Sequence, residues 1–291
     1  MPGDVLRSAL YVVATPIGNL GDITLRALEV LRGVDLIAAE DTRETGRLLK
    51  HYGIDKPLFA VHAHNERSAC TRVVEALRSG RSIALTTDAG TPGVSDPGAI
   101  VVGEVRNQGF DAIAVPGPSA LIAAWSVAGL PGTGFLFYGF LPAKRAERLR
   151  ALDSLAKVAY PLIFYEAPHR VLATARDLRE ALGAQRPVVL VRELTKVFET
   201  VCRTTLDALE SWLTADANRQ RGEFVLIVAG ESAAAAPRVA EAEAALRVLL
   251  KELPAGQSAR LAAHLFGVSR KTLYDLALSL RGNDGSEEEV T

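Results

Sequence analysis

Five short apolar runs rich in β-branched residues punctuate the first half of the chain, at Ala9–Ala14, Asp35–Ala39, Leu58–Val61, Ser82–Thr86 and Ala112–Val115. Between them, apolar residues recur at helical spacing, as in Leu25/Leu28/Leu31 and Val73/Val74/Leu77. This alternation constrains the fold more than any other feature. Strands separated by helices return in the same direction, so the pattern predicts a parallel sheet covered on both faces. Sheets of that kind keep their ligand sites at the carboxyl ends of the strands, and the loops that follow these runs are therefore the places to look for chemistry.

A turn-rich stretch, Gly129-Leu-Pro-Gly-Thr-Gly134, marks a crossing into a second half. That half carries apolar runs at Phe135–Phe140, Pro161–Tyr165, Pro187–Val191, Phe198–Cys202 and Phe224–Ala229, with helical patterns at Ala143–Leu155, His169–Leu182 and Leu206–Leu213. The direct step from Val188–Arg192 through Glu193-Leu-Thr-Lys196 to Phe198–Cys202 reads as a hairpin, so the second sheet is expected to be mixed. Ala233-Ala-Ala-Ala-Pro237 reads as a linker, and Ser258–Ala277 as helix, glycine turn and Ser-capped helix, the pattern of a helix-turn-helix. The expected boundaries are 1–131 and 132–232 for two α/β domains, 238–282 for a small helical domain, and 283–291 for a disordered acidic tail.

At 291 residues, 48% apolar and 23% charged, the chain has material for two or three cores. No N-terminal segment has the length of a membrane span or the flanks of a signal peptide, so a cytoplasmic protein without membrane contact is expected. Cys70 and Cys202 stand far apart, in no metal-site spacing, and read as core thiols. The net charge of -1 argues against wholesale coating by nucleic acid. It conceals a local excess, for Leu141–Thr205 carries twelve Lys/Arg against seven Asp/Glu, a net of +5 that can face phosphate.

Four sets of loop residues carry the candidate chemistry. Thr15-Pro-Ile-Gly-Asn-Leu-Gly-Asp22 has glycines that let backbone amides approach a ligand, with Asp22 or Thr24 to cap the next helix, yet it lacks the dinucleotide Gly-x-Gly-x-x-Gly spacing. Thr86–Gly98 crowds small residues and two acids at a strand end, which suits a ligand lying on bare backbone as well as a strained turn. Val115-Pro-Gly-Pro-Ser-Ala120 opens a helix whose N-terminal amides suit a carboxylate or simple capping. Phe164–Arg170 and Arg192–Glu199 place charges and an aromatic at strand ends. His62 and His64 share a strand face, but no third ligand is picked out by spacing, so no metal is expected.

Taken in order, Tyr11–Ala27, Ala39–Arg43, His64–Glu66, Thr87–Gly93, Pro116–Ala120, Tyr138–Pro142, Tyr165–Arg170, Arg192–Lys196 and Gly222–Val228 resemble the motif series of the tetrapyrrole methylase superfamily, in its branch that modifies ribosomal RNA. The resemblance covers about residues 8 to 230 and a similar small C-terminal domain; the acidic tail is outside the pattern. It implies two α/β domains of the tetrapyrrole methylase type, S-adenosylmethionine as methyl donor, a homodimer, and transfer to the 2′-hydroxyl of a decoding-centre cytidine in 16S rRNA of the small ribosomal subunit. By position it assigns Pro16, Ile17, Asp88, Ala89, Gly90, Thr91, Ser119 and Ala120 to donor-binding loops, with Tyr165, Leu194 and Val225 closing over the adenosine. Because a ribose hydroxyl is a poor nucleophile, Lys196 with Glu193 or Glu166 is the expected acid–base group. Arg43, Lys144, Arg145, Arg148, His169 and Arg170 are candidate phosphate contacts. Two rivals remain, a methyltransferase for corrin or sirohaem precursors and a non-catalytic nucleic-acid-binding regulator, although Arg270 and Lys271 are the only obvious cations before Arg281 in the would-be recognition helix.

Overall fold

A computed structural model describes residues 7–62, 65–130, 134–231 and 235–284. It divides into two compact units, residues 1–229 and 230–291. The first unit holds both sheets.

The first sheet comprises β1 (Ala9–Val13), β2 (Leu36–Ala39), β3 (Leu58–Ala60), β4 (Ile83–Thr86) and β5 (Asp111–Val115), in the order β3-β2-β4-β1-β5. Every pairing is parallel, as the alternation of strands and helices predicts. The crossovers are α1 (Leu25–Gly33), α2 (Thr42–His51), α3 (Glu66–Arg78) and α4 (Ala99–Asn107), while α5 (Ala120–Ala128) leads onward from β5. Of the two caps considered for α1, Thr24 is the one used: its hydroxyl accepts from Ala27 N. Strands β2 and β4 are buried at every position, as befits strands covered on both faces. Because β1 lies between β4 and β5, the loops after these three strands meet at one edge of the sheet.

The second sheet contains β6 (Leu136–Phe140), β7 (Leu162–Glu166), β8 (Pro187–Arg192), β9 (Thr200–Thr205) and β10 (Phe224–Val228), ordered β6-β7-β10-β8-β9. Only β6 with β7 is parallel, so the sheet is mixed, and β8 and β9 form the expected hairpin. β9 starts two residues later than the apolar run, leaving Phe198 exposed in the connecting loop. α6 (Arg145–Leu155), α7 (Val171–Leu182) and α8 (Leu206–Thr214) cover one face around Phe164, Leu178 and Leu226. The other face packs Ile163, Val189, Val191 and Val225 against Ala124 and Ala128 of α5 and Ile17 of the first loop. α5 thus packs on the second sheet, and a cavity opens at its N-terminal end. Cys70 is buried, whereas Cys202, on the edge strand β9, is half-buried.

The second unit packs α9 (Ala235–Leu249), α10 (Ala255–Phe266) and α11 (Arg270–Asp284) around Leu246, Ala259, Leu273 and Ala277. Gly267 ends α10 in the left-handed conformation, so the helix–turn–helix pattern is present. The proposed linker is shorter than its composition suggests, because α9 already begins at Ala235, with Pro237 in its first turn where a missing N–H costs nothing. α11 runs to Asp284, past the expected start of the acidic tail, and residues 285–291 lie outside the described residues. So do residues 131–133, where the boundary between the two α/β domains was expected, and His64 of the histidine pair. No described helix is long and apolar enough to cross a membrane.

Candidate active site

The loops that follow β1, β4 and β5 are stitched together. Thr15 N donates to Gly90 O at 2.9 Å and Gly90 N returns a bond to Thr15 O at 3.0 Å, joining the first loop to the second. Thr15 Oγ1 also donates to Thr87 O at 3.0 Å, and Thr91 Oγ1 reaches Pro118 O at 3.2 Å, which ties in the third loop. The second loop is clamped from below by Glu66, whose buried carboxylate accepts from Gly98 N at 2.9 Å and Ile100 N at 3.0 Å, capping α4. A ligand meeting this surface would meet fixed backbone.

A cavity of about 420 Å³ lies against these loops. Ile17, Ala89, Gly90, Thr91, Ser119 and Ala120 supply one wall, and Tyr165, Leu194 and Val225 another. The tyrosine links the two, since its hydroxyl accepts from Leu121 N, at the start of α5, at 3.0 Å. Burial, outweighing that hydrogen bond, pushes the Tyr165 phenol upward and keeps it protonated. Pro16 and Asp88 are placed elsewhere: they line a smaller neighbouring cavity of about 170 Å³. Asp88 accepts there from Asp41 N at 3.0 Å, which turns its side chain toward β2. The buried residues Ile17, Gly90, Leu194, Phe224 and Val225 form the closed end of the larger cavity, and the exposed Ala89, Ser95, Phe140, Pro168 and Glu223 frame its mouth.

The expected acid–base residues do not share one position. Glu166 borders the cavity, but its carboxylate is fully committed, accepting from Ala167 N at 2.8 Å and from the Thr174 hydroxyl, and pairing with Arg170 at 3.2 Å. Glu193 and Lys196 do not line the cavity. Lys196 Nζ donates to Glu193 Oε1 at 3.0 Å and to Glu223 Oε2 at 2.9 Å, and Glu223 is the member that reaches the cavity. Burial alone would lower the Lys196 ammonium, but its two carboxylate hydrogen bonds raise it above the usual lysine range. Glu193 is likewise pushed up by burial, yet ends lowered by Glu223 N–H and Lys196. The pair is charged at neutral pH, so Lys196 is a fixed cation and not a proton acceptor.

The cations expected to meet phosphate also divide. Arg148 is a structural residue: its guanidinium is buried, pairs with Asp177 at 2.6 Å and caps the carbonyls of Pro142 and Ala143, so no surface is left for phosphate. Arg145 is exposed but bonded to Asp177 and Glu180, and Arg170 donates to Leu141 O. Lys144, paired loosely with Glu147 at 3.4 Å, and His169 are exposed. Arg43 is exposed and pairs with Asp41 at 2.6 Å, and that guanidinium holds the Asp41 carboxyl well below the usual range.

Sequence reasoning passed over four residues that matter here. Asp96 and Glu223 line the cavity, Phe140 marks its mouth, and Glu66 anchors the second loop. All four lie within or beside the quoted motifs, but linear spacing does not say which acid of a loop turns inward. Among the described residues, no group of three or more His, Cys, Asp or Glu has the geometry to hold a metal ion.

The family model for Tetrapyrrole (Corrin/Porphyrin) Methylases matches residues 9–210, and that for the RsmI C-terminal HTH domain matches residues 236–281. A Ribosomal RNA small subunit methyltransferase I from Pseudomonas aeruginosa is 50% identical over 275 residues, covering 94% of this chain and 98% of its own length. Its counterpart in Escherichia coli O157:H7 is 48% identical, covering 96% and 98%. Among solved structures, a cobalt precorrin-4 methyltransferase superposes with a TM-score of 0.57 at 18% identity, covering 76% of this chain and 95% of that one. A Thermus thermophilus uroporphyrin-III C-methyl transferase complexed with S-adenyl homocysteine gives 0.53 at 18% identity, covering 76% and 97%. At that identity the two structures speak for the fold.

Proposed function

This chain belongs to the tetrapyrrole methylase family, within its ribosomal RNA small subunit methyltransferase I group, and we propose that it transfers the methyl group of S-adenosylmethionine to the 2′-hydroxyl of a decoding-centre cytidine in 16S rRNA of the small ribosomal subunit. The observation that carries this reading is the cavity built from three stitched backbone loops and closed by Tyr165. The residues that line it fit the donor. The apolar floor of Ile17, Leu194, Phe224 and Val225 suits an adenine, and the amides around Gly90 and Ala120 suit polar groups of the ribose and amino acid. The nearby carboxylates of Glu40 and Asp88 favour a cationic ligand.

Bound there, the sulfonium supplies an already activated methyl, so the protein's task is mainly alignment, which can contribute several kcal/mol. Lys196, bonded to Glu193 and Glu223, fixes the Glu223 carboxylate at the rim and so orders the edge that the acceptor strand meets. Phe140, 51% exposed at the mouth, offers a ring on which an unstacked base can lie. Arg43, Lys144 and His169 are the cations with surface to offer to phosphate, Arg145 and Arg170 are partly committed, and Arg148 is not in this set. A homodimer is taken as the working assembly.

The experiment is transfer of labelled methyl from S-adenosylmethionine to small subunits lacking the modification, with free RNA and a tetrapyrrole precursor alongside. Label at a ribose of 16S rRNA supports the reading and locates the nucleotide; label in the precursor alone sinks it. Lys196→Ala is expected to cut transfer by roughly tenfold or more, a loss of one charge-assisted contact worth about 1.5–3 kcal/mol. Near-normal turnover would remove Lys196 from the mechanism.

A further inference from the structure

We propose that Asp96 is the group that accepts the proton of the acceptor hydroxyl, an inference that rests on the rRNA methyltransferase reading above. The argument begins with position. Asp96 lines the donor cavity and is half-buried, so its carboxyl borders the space a ligand would occupy while being partly shielded from solvent. The loop that carries it is fixed on two sides. Glu66 caps the helix that follows, and Ser95, held at φ +66°, packs its hydroxyl against the backbone of β6, where a Cβ on Gly139 would lie 2.8 Å away. A non-glycine residue in the left-handed region costs of order 1 kcal/mol or more, and such strain gathers where a side chain must be aimed.

The other acids at the cavity are engaged. Glu166 is held by Thr174, Ala167 N and Arg170, and Glu223 is held by Lys196. Among the described residues, Asp96 has no hydrogen bond or ion pair at its carboxyl. The titratable groups that face it are Glu40 after β2, Asp88 after β4 and the Tyr165 hydroxyl on β7, none of them a cation. Desolvation, reinforced by Glu40 and Asp88, raises its pKa to about 6. That value leaves it roughly nine-tenths ionised at neutral pH and a stronger base than an ordinary carboxylate, the compromise that general-base catalysis favours.

The step balances. The 2′-hydroxyl proton passes to an Asp96 oxygen as the ribose oxygen bonds to the methyl carbon. The carbon–sulfur electron pair stays with sulfur, leaving S-adenosylhomocysteine, a methyl ether and a neutral Asp96, which returns its proton to water.

The test compares wild type with Asp96→Asn in three measurements: turnover against pH at saturating donor, donor affinity by calorimetry, and melting temperature against pH. Asp96→Asn is expected to lower turnover roughly 10²–10⁴-fold and to abolish the acidic limb of the wild-type profile, with donor affinity kept within about threefold. A raised carboxyl pKa destabilises the folded protein as pH climbs from about 4 to about 6, so the variant should melt higher than wild type near pH 7.5 and match it near pH 4. Turnover within about threefold of wild type, or normal turnover at saturating donor with weakened donor binding, would overturn the proposal, the latter making Asp96 a donor-holding residue. Wild type that methylates no rRNA would defeat the parent reading, and that outcome is visible without the variant.

Discussion

Gly222 shows how little room the site allows a single residue. It sits at φ +92°, and a Cβ there would lie 2.3 Å from Glu193 Oε1, in the carboxylate that anchors Lys196 and Glu223 N. Gly222→Ala is therefore expected to break this network. It should lower the melting temperature by several degrees and reduce methyl transfer more than Lys196→Ala does, read by thermal denaturation and the labelled-methyl assay. Gly18 is constrained for a different reason: its φ is ordinary, but a Cβ would lie 2.6 Å from Lys196 Cγ, so the first loop and the β8–β9 loop touch through it. The Glu193 carboxyl is lowered in the fold, so its contribution to stability is present above the ordinary glutamate range and is lost as pH falls through it. Glu193→Gln should destabilise at neutral pH and lose its effect in acid, a difference that denaturant titration at two pH values would show.

At the scale of elements, the α6–α7 pair is held by the buried Arg148–Asp177 bridge. Asp177→Ala strands a buried guanidinium and is expected to cost about 3–5 kcal/mol in chemical denaturation, whereas the exposed Lys144→Ala should cost almost nothing. Tyr165→Phe removes the acceptor of Leu121 N and with it the tie between β7 and α5; a loss of about 1 kcal/mol and a several-fold weaker donor affinity are expected from calorimetry. The elements themselves were legible because their periods are strong: β2 and β10 read as unbroken apolar runs, and the β8–β9 hairpin as two runs without room for a crossover. Two details escaped. β9 begins at Thr200 because Phe198 belongs to the seven-residue loop that carries Lys196, and α9 begins inside the alanine stretch because alanine favours helix as readily as it spaces domains.

For the whole molecule, the balance of charge predicts a salt-sensitive RNA complex built from few contacts. Arg43→Ala should weaken RNA binding at all sequences and reduce the slope of log affinity against log salt by about one, while leaving donor affinity unchanged. Arg148→Met should not change that slope. The sequence by itself determined the parallel first sheet, the mixed second sheet, the helical C-terminal unit and the three loops at which a donor would lie, because each is written in local periodicity and in turn residues at strand ends. Only the tertiary structure decided which side chains of those loops face the cavity. Arg148 and Lys144 stand four residues apart in one cluster of charge, yet one is buried in an ion pair and the other open to solvent. Asp88 and Asp96 share a loop, yet Asp88 turns to the backbone of Asp41 while Asp96 lines the cleft. Facing is set by contacts between residues distant in sequence, here between the β4 loop, α3 and β6, and no spacing along the chain encodes it.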